Sequence, residues 1–201
     1  MFNGQGGEYT AVLLDDDPKA ARLNIQHYIE INRESPLNTI LVQGISRNEH
    51  MDVTIQKATE LGVSEIIPVI CERSATFKKQ RISKKLERWH QIAISACEQS
   101  GRNLLPLLHE ISTFDQVLKH VPGVIRLVMD PTAAQGISTI EQCTGPVSVL
   151  CGPEGGLSET EIDAACKAGY KRTTFGPRVL RTETAGPACI SALQVLWGDM
   201  G

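Results

Sequence analysis

Downstream of Asn38 the chain alternates short apolar runs with stretches of helical periodicity, and this alternation limits its fold more than any other feature. Apolar strands that alternate with helices form parallel sheets, because each crossover helix returns the chain to the same end of the sheet. The sequence therefore predicts an α/β fold with a mostly parallel sheet between helices. The candidate strands are 39–43, 65–71, 124–129, 147–151 and 171–175.

Four helices are predicted around these strands. The apolar spacing at 51–61 and at 84–100 indicates two of them. A third follows Ser158, whose spacing to Glu161 is that of a capping box. We expect the last helix to begin at Pro187, because proline is tolerated in a first turn. The first three helices are expected to end at glycines that tolerate a positive φ, namely Gly62, Gly101 and Gly169.

The segment before Glu34 differs from the rest of the chain. It contains the apolar run 8–14 and a turn at Asp15, Asp16 and Asp17, which is a pattern of short β segments. Two or three strands do not form a stable domain alone. A boundary is therefore expected near 33–36.

Composition excludes several classes of protein. The 201 residues carry 20 Lys and Arg against 23 Asp and Glu, a net charge of −3, and 41% of them are apolar. This balance is typical of a globular domain and excludes collagen-like, coiled-coil and disordered chains. No apolar stretch approaches the length of about 20 residues that a membrane helix needs, and the first residues lack the pattern of a signal peptide. A cytoplasmic protein without membrane contact is expected.

Cysteine and histidine spacing predicts neither a metal site nor a hydrolase. The six Cys form no C-x-x-C pair, and no His lies at zinc-ligand spacing from them. The five His show no H-E-x-x-H or Ser/His/Asp arrangement. We expect reduced, mostly buried thiols and no bound metal.

Two glycine-rich loops are the candidate ligand sites, because each lies between a predicted strand and a helix. The first is GPEGG at 152–156, and the second is the segment 175–187 with its close-packed Arg, Thr and Glu. Ligands of open α/β sheets bind outside the carboxyl ends of strands, where glycines let backbone N–H groups approach. The first loop could instead be a tight turn, and the second a surface loop with a helix cap at Thr182 or Thr184. Neither has the phosphate-loop or dinucleotide pattern.

A basic stretch at 77–89 is a candidate for phosphate contacts. It concentrates six basic residues in a chain of negative net charge. A solvated helix face, with Trp89 in the core, explains the same stretch equally well. The basic residues are Lys78, Lys79, Arg81, Lys84, Lys85 and Arg88.

Seven blocks, in order along nearly the whole chain, resemble the RsmE family of ribosomal RNA uridine methyltransferases, which belong to the SPOUT class. Several such blocks in family order are more specific than any one of them. They are FNGQGGEY at 2–9, RESP at 33–36, QKATELGV at 56–63, ERS at 72–74, EQSGR at 98–102, GPEGG at 152–156 and GPRVLRTETA at 176–185.

The resemblance implies a two-part architecture. Residues 36–201 would form a SPOUT methyltransferase domain whose parallel sheet carries a C-terminal trefoil knot, and this domain would be a homodimer. Residues 1–35 would belong to a small PUA-like β-barrel. The family pattern aligns Met1 inside that barrel, so this segment is expected to be a partial barrel without its first strands, with impaired RNA docking as the consequence.

The resemblance also implies an S-adenosylmethionine site built largely from backbone. Family positions carry over to Leu150, Gly152 and Gly155 in one loop and to Gly176, Leu180, Arg181 and Thr182 in the next. The loop after strand 124–129 adds Met129 and Pro131.

The implied reaction is methyl transfer to N3 of a uridine in 16S ribosomal RNA of the small subunit. Uracil N3 carries a proton at neutral pH, so the enzyme must remove it or stabilise the resulting anion. Arg181 stays charged and is expected to stabilise the oxyanion or to orient a phosphate. Glu183 and Glu154 could accept the proton or orient Arg181, but each could equally be a helix cap or a structural ion pair.

Arg102 and the six basic residues of 77–89 are the candidate RNA contacts. Two other functions stay open from the sequence. One is a SPOUT methyltransferase that acts on transfer RNA, and the other is a non-catalytic RNA-binding or ribosome-assembly protein with the same fold.

Overall fold

The computed structural model describes residues 1–17, 20–75, 82–120, 123–142 and 144–201. A two-stranded antiparallel hairpin comes first, followed by a seven-stranded parallel sheet flanked by helices. The hairpin consists of β1 (Glu8–Asp15) and β2 (Arg22–Ile29). The sheet contains β3 (Thr39–Gly44), β4 (Glu65–Ile70), β5 (Leu107–Leu108), β6 (Ser112–Thr113), β7 (Ile125–Met129), β8 (Val147–Cys151) and β9 (Lys171–Thr173).

The sheet has the strand order β5-β4-β3-β8-β7-β9, with β6 also pairing to β4, and every pair in it is parallel. All five predicted strands are therefore confirmed as parallel neighbours in one sheet. Because they run in the same direction, the carboxyl ends of β3, β7, β8 and β9 lie at one edge. The predicted ligand loops follow two of these strands.

Helices cover both faces of the sheet. One apolar core lies between the sheet and α1, α2 and α5, and a second lies between the opposite face and α3 and α4. The bounds are α1 (Asn48–Glu60), α2 (Ile82–Ser100), α3 (Phe114–His120), α4 (Glu159–Lys167) and α5 (Thr182–Trp197). Among the described helices, none has the length and apolar character needed to cross a membrane.

The ends of the first three predicted helices are confirmed. Gly62, Gly101 and Gly169 have φ values of +83°, +77° and +91°, directly after α1, α2 and α4. The Ser158 hydroxyl accepts from the Glu161 N–H while the Glu161 carboxylate accepts from the Ser158 N–H, which is a complete capping box.

The predicted start of the last helix is wrong. α5 begins at Thr182, with Arg181 as its N-cap residue and no side-chain cap from Thr182 or Thr184, and Pro187 lies inside the helix. An interior proline lacks one backbone hydrogen bond. Packing explains why the helix tolerates this, because the first turns of α5 are buried against β3, where a Cβ on Gly186 would lie 3.1 Å from the Leu41 side chain. Early burial outweighs the local preference of the proline.

The hairpin is joined to the sheet domain near the end of α2. Backbone hydrogen bonds link Gly6 to Asn103 and Leu105 to Gly4. The Arg33 guanidinium also bridges the Glu8 carboxylate and the Gly101 carbonyl. The segment 1–35 therefore contacts the sheet domain through polar groups, close to the predicted boundary at 33–36.

Candidate functional site

A cavity of about 580 Å³ lies at the carboxyl edge of the sheet. Its walls come from both glycine loops, from the loop after β7 and from the first turns of α1 and α5. This volume lies in the range of pockets that hold cofactors and drug-sized ligands. The structure thus places the two predicted ligand loops together around one cavity.

Most of the predicted cofactor residues line this cavity. The exceptions are Leu150, which is wholly buried within β8, and Gly176, which lies one residue beyond the lining residue Phe175. The lining residues that the sequence predicted are Met129, Pro131, Gly152, Gly155, Leu180, Arg181 and Thr182.

The first glycine loop is closed so tightly that Gly152 leaves no room for a side chain. A Cβ at Gly152 would lie 2.8 Å from the Gly156 carbonyl carbon and from the Leu157 nitrogen. Outside the loop, Arg73 Nη1 donates to the Gly155 carbonyl at 2.9 Å. Backbone contact and the Arg73 guanidinium together fix the loop that forms one cavity wall.

A buried glutamine joins the first glycine loop to the start of α5. Gln43, at the end of β3, is fully buried. Its two Nε2 hydrogens are shared among the carbonyls of Gly44 and Gly152, at 3.0 and 3.2 Å, and Thr182 Oγ1 at 3.0 Å. The Thr182 hydroxyl in turn donates to the Gly152 carbonyl at 2.8 Å. Gln43 Oε1 has no hydrogen-bond partner among the described residues.

Glu154 holds the start of α1 against the same loop. Its Oε1 accepts from the Arg47 backbone N–H at 2.7 Å, and Arg47 is the N-cap residue of α1. This contact places His50, in the first turn of α1, on the cavity wall. Glu154 therefore contacts the N-terminus of α1, and a contact with a helix start is one of the roles that the sequence left open for it.

Glu183, in the first turn of α5, lies in the cavity wall with a side chain that is only 17% exposed. His50 Nδ1 lies 3.0 Å from Glu183 Oε2, and Arg181 Nη1 lies 3.9 Å from Glu183 Oε1. The Arg181 side chain is 81% exposed. The structure brings together an imidazole, a carboxylate and an accessible guanidinium at the cavity mouth.

A buried ion pair fixes the loop after β7. Asp130 Oδ1 accepts from the Thr132 N–H and hydroxyl, and Asp130 Oδ2 accepts from Arg172 Nε at 2.6 Å. Burial opposes ionisation of Asp130, but these hydrogen bonds outweigh burial and lower its pKa below the ordinary value. The ionised carboxylate thereby orders the segment that carries Met129 and Pro131.

The predicted RNA contacts occupy different environments. Lys78, Lys79 and Arg81 lie outside the described residues. Lys84, Lys85 and Arg88 lie on α2, where Lys85 Nζ sits 5.8 Å from the ring centre of the buried Trp89 and Arg88 pairs with Asp52 at 2.6 Å. None of the three lines the cavity.

Arg102 is placed unfavourably for RNA contact, because its side chain is only 7% exposed. Its Nη2 pairs with Glu34 at 2.5 Å and its Nη1 donates to the Thr59 carbonyl at 2.7 Å. The Arg102 guanidinium joins Glu34, in the segment 1–35, to Thr59 of α1. We therefore assign it no RNA contact.

The described cysteines are free thiols. Cys71, Cys97, Cys151 and Cys189 are buried and Cys166 is half-buried, whereas Cys143 lies outside the described residues. Burial raises the pKa of Cys151, which lines the cavity, to about 12. Within the described ranges, no group of His, Cys, Asp and Glu has a geometry that could hold a metal ion.

The sequence reading missed three residues that shape the site, namely Gln43, His50 and Arg73. Gln43 and His50 lie outside the seven blocks that resemble the family. Arg73 lies in the block ERS at 72–74, but that block does not indicate a contact with the loop 152–156. A polar residue at the end of an apolar strand, as Gln43 is, was the one available signal.

The sequence is similar to those of known RNA methyltransferases. A family model described as an RNA methyltransferase domain matches residues 33–194. The ribosomal RNA small subunit methyltransferase E of Buchnera aphidicola is 35% identical over 202 residues, which is 99% of this chain and 79% of that protein. The protein of the same name from Bacillus subtilis is 33% identical over 84% of this chain and 71% of its own length.

Two solved structures are similar over nearly the whole chain. A ribosomal RNA small subunit methyltransferase E from Neisseria gonorrhoeae, bound to S-adenosylmethionine, is 42% identical with a TM-score of 0.92, covering 100% of this chain and 83% of that one. A putative methyltransferase from Legionella pneumophila in complex with the same cofactor is 38% identical with a TM-score of 0.95, covering 98% and 82%. With a matching family model and relatives of this identity and coverage, the chain belongs to the ribosomal RNA small subunit methyltransferase E (RsmE) family of RNA methyltransferases.

Proposed function

We propose that this chain transfers a methyl group from S-adenosylmethionine to N3 of a uridine in 16S ribosomal RNA of the small ribosomal subunit. The observation that carries the proposal is the single cavity between the two glycine loops, in a chain whose relatives are named ribosomal RNA small subunit methyltransferase E. The uracil N3 position follows from the family.

The residues around the cavity fit S-adenosylmethionine. The cavity is about 580 Å³, and it offers backbone groups of both glycine loops together with the apolar side chains of Met129 and Leu180. Backbone N–H and carbonyl groups can pair with the adenine edge, while Leu180 can cover the ring. We assign the cofactor to the nine residues predicted from the sequence, with Leu150 and Gly176 contributing through backbone only.

When bound, the cofactor supplies an electrophilic methyl group on a sulfonium. Uracil N3 becomes nucleophilic as it loses its proton, and negative charge then develops on the uracil oxygens. We assign the stabilisation of that charge to the exposed Arg181 guanidinium, which lines the cavity and makes a long 3.9 Å contact to Glu183. Glu154 and Glu183 are two of the carboxylates that line the same cavity, and Glu183 is the one that contacts Arg181.

We infer the finer architecture from family membership. Residues 36–201 form the SPOUT domain with a C-terminal trefoil knot, and residues 1–35 belong to a PUA-like barrel. The knot is supported by the path of the chain, which leaves the sheet edge at β9 and returns to pack α5 under the central strands β3 and β8. The exposed apolar strands of the hairpin support the barrel, since a barrel would cover them.

We also infer a homodimer that acts in the cytoplasm. α1 and α5 pack against each other and leave apolar side chains exposed, among them Val53, Val195 and Leu196. Burial of such a patch against a second copy would remove it from water. Ribosomal RNA as substrate supports the cytoplasmic site of action.

The test is methylation of small ribosomal subunits isolated from cells that lack this modification. We expect label from methyl-labelled S-adenosylmethionine to appear in 16S RNA as 3-methyluridine, identified by mass spectrometry of the digested RNA. Label in transfer RNA instead would assign a different substrate. A folded protein that binds no cofactor in calorimetry would indicate a non-catalytic RNA-binding or assembly role.

A further inference from the structure

We propose that His50 accepts the uracil N3 proton, with Glu183 orienting the imidazole and stabilising its protonated form. This inference rests on the proposed function, and it assigns the base of that reaction. The observation behind it is a half-buried carboxylate 3.0 Å from an imidazole on the cavity wall, next to the guanidinium that would stabilise the uracil anion.

The environment of Glu183 suits it to hold an imidazole rather than to act as the base itself. Its side chain is only 17% exposed, and its Oε2 is a buried atom that receives no well-aligned hydrogen bond from the described residues. His50 Nδ1 lies 3.0 Å from this oxygen, so a small rotation of the ring completes a hydrogen bond. A buried carboxylate that lacks a donor is costly, and the Nδ1–H group removes that cost.

This contact selects the tautomer of His50. A ring that donates from Nδ1 carries its acceptor lone pair on Nε2, because neutral imidazole has one donor nitrogen and one acceptor nitrogen. No described residue bonds to Nε2 of His50, and the side chain is partly exposed on the cavity wall. The free acceptor is therefore the nitrogen available to a substrate in the cavity.

The other acidic groups near the cavity are less suited to the role. Glu154 accepts from the Arg47 N–H and holds α1 in place, so its carboxylate is already engaged. Asp130 is buried and paired with Arg172, and the exposed Glu159 carboxylate lies 3.7 Å from the same guanidinium. The charged group in contact with His50 is Glu183, and Glu154, Arg178 and Arg181 line the same cavity.

The step balances without any further reactant. The N3–H bond breaks and its proton moves to His50 Nε2, giving an imidazolium beside the Glu183 carboxylate. The N3 electron pair forms the new bond to the methyl carbon while the bond between that carbon and sulfur breaks, which leaves S-adenosylhomocysteine. His50, being partly exposed, then releases the proton to water, and the products are 3-methyluridine, S-adenosylhomocysteine and one proton.

The test compares single-turnover methylation rates of wild type, His50→Gln, His50→Ala and Glu183→Gln on the same small subunits. We expect His50→Gln to be slower by a factor of about 100 or more, as for loss of a general base. Its cofactor affinity in calorimetry should stay within a few-fold of wild type. Millimolar imidazole should restore part of the rate of His50→Ala, which a merely structural histidine would not allow.

Two further readouts separate the base from a structural role. The wild-type rate should fall at acidic pH, because a protonated imidazole cannot accept the uracil N3 proton, and Glu183→Gln should be slower than wild type, because an amide stabilises the imidazolium less than a carboxylate does. Independently of activity, the ¹⁵N spectrum of His50 in wild type should show the Nδ1–H tautomer.

The outcomes distinguish this inference from the proposed function. A wild-type protein that makes no 3-methyluridine refutes the proposed function and this inference with it. A wild type that makes 3-methyluridine, with a His50→Gln rate within about three-fold of it, refutes the base alone. An Nε2–H tautomer in an active wild type also refutes it, because Nε2 would then carry a proton instead of accepting one.

Discussion

Replacement of the buried glutamine between the cofactor loops should weaken S-adenosylmethionine binding with little change in stability. In Gln43→Leu, Gly44 loses the donor to its carbonyl, whereas the Gly152 carbonyl keeps the Thr182 hydroxyl at 2.8 Å. One buried acceptor without a donor costs about 1–3 kcal/mol. The same substitution removes Gln43 Oε1, a buried acceptor that already lacks a partner, and so regains about the same amount.

The two contributions nearly cancel, so the unfolding temperature should change by no more than about 4 °C. Cofactor affinity should fall by about ten-fold, which corresponds to about 1.4 kcal/mol, because the crosslink from β3 to the first glycine loop and to Thr182 is gone. Calorimetric titration with S-adenosylmethionine measures the affinity, and differential scanning fluorimetry without cofactor measures the stability.

A second buried glutamine provides the matched control. Gln194 on α5 is fully buried but lies away from the cavity, where it accepts from Ser35 Oγ at 2.6 Å and donates to the Leu61 carbonyl at 3.1 Å. Gln194→Leu leaves the Leu61 carbonyl without its side-chain donor and the Ser35 hydroxyl without its acceptor, while Ser35 Oγ keeps the Leu37 N–H, and should cost about 2–4 kcal/mol. That cost lowers the unfolding temperature by about 4–16 °C and leaves cofactor affinity unchanged. Equal affinity losses in the two variants, or an unchanged affinity in Gln43→Leu, would refute the reasoning.

Three further predictions concern the cavity. Arg181→Ala should abolish methyl transfer while keeping cofactor affinity within a few-fold, and unchanged turnover would contradict its role. Gly152→Ala should lower both stability and cofactor binding, since its Cβ would lie 2.8 Å from the Leu157 nitrogen; calorimetry and thermal unfolding measure both. Asp130→Asn should destabilise the fold at neutral pH, because the ion pair between Asp130 and Arg172 is lost. Because the pKa of Asp130 is lower in the folded protein than in the unfolded chain, its carboxylate stabilises the fold above the ordinary Asp pKa. This stabilisation is lost as the pH falls through the pKa of the folded state. The urea-unfolding curves of wild type and Asp130→Asn should therefore converge as the pH falls below about 4.

The parts of the fold that follow local rules were predictable. Strands such as β8 are short, mostly apolar runs, and helix ends such as that of α1 at Gly62 follow the positive φ of glycine. The start of α5 was not predictable in this way. The local preference of Pro187 for a first turn gives way to burial of the preceding turn against Leu41, which is a tertiary contact that no window of sequence contains.

The candidate site also has parts that were predictable from local sequence and parts that were not. Loops such as 152–156 could be found because strand–glycine–helix patterns are local. The side chains that hold the loops could not, because their partners are distant in sequence, as with Gln43, which lies 109 residues from Gly152 and 139 from Thr182. Arg73 likewise reaches Gly155 across 82 residues. Only the folded sheet brings these groups together.

Directional polar contacts, in addition to apolar packing, hold the three segments that surround the cavity. Gln43 joins β3 to Gly152 and Thr182, Glu154 holds the start of α1, and Arg73 holds Gly155. An apolar contact stabilises many loop positions almost equally, whereas a hydrogen bond stabilises one direction and one distance. The residues that set the shape of the cavity therefore differ from those that set the stability of the sheet. Substitutions in the first group should change cofactor binding and leave the global fold nearly as stable, which is the separation that the Gln43 and Gln194 variants measure.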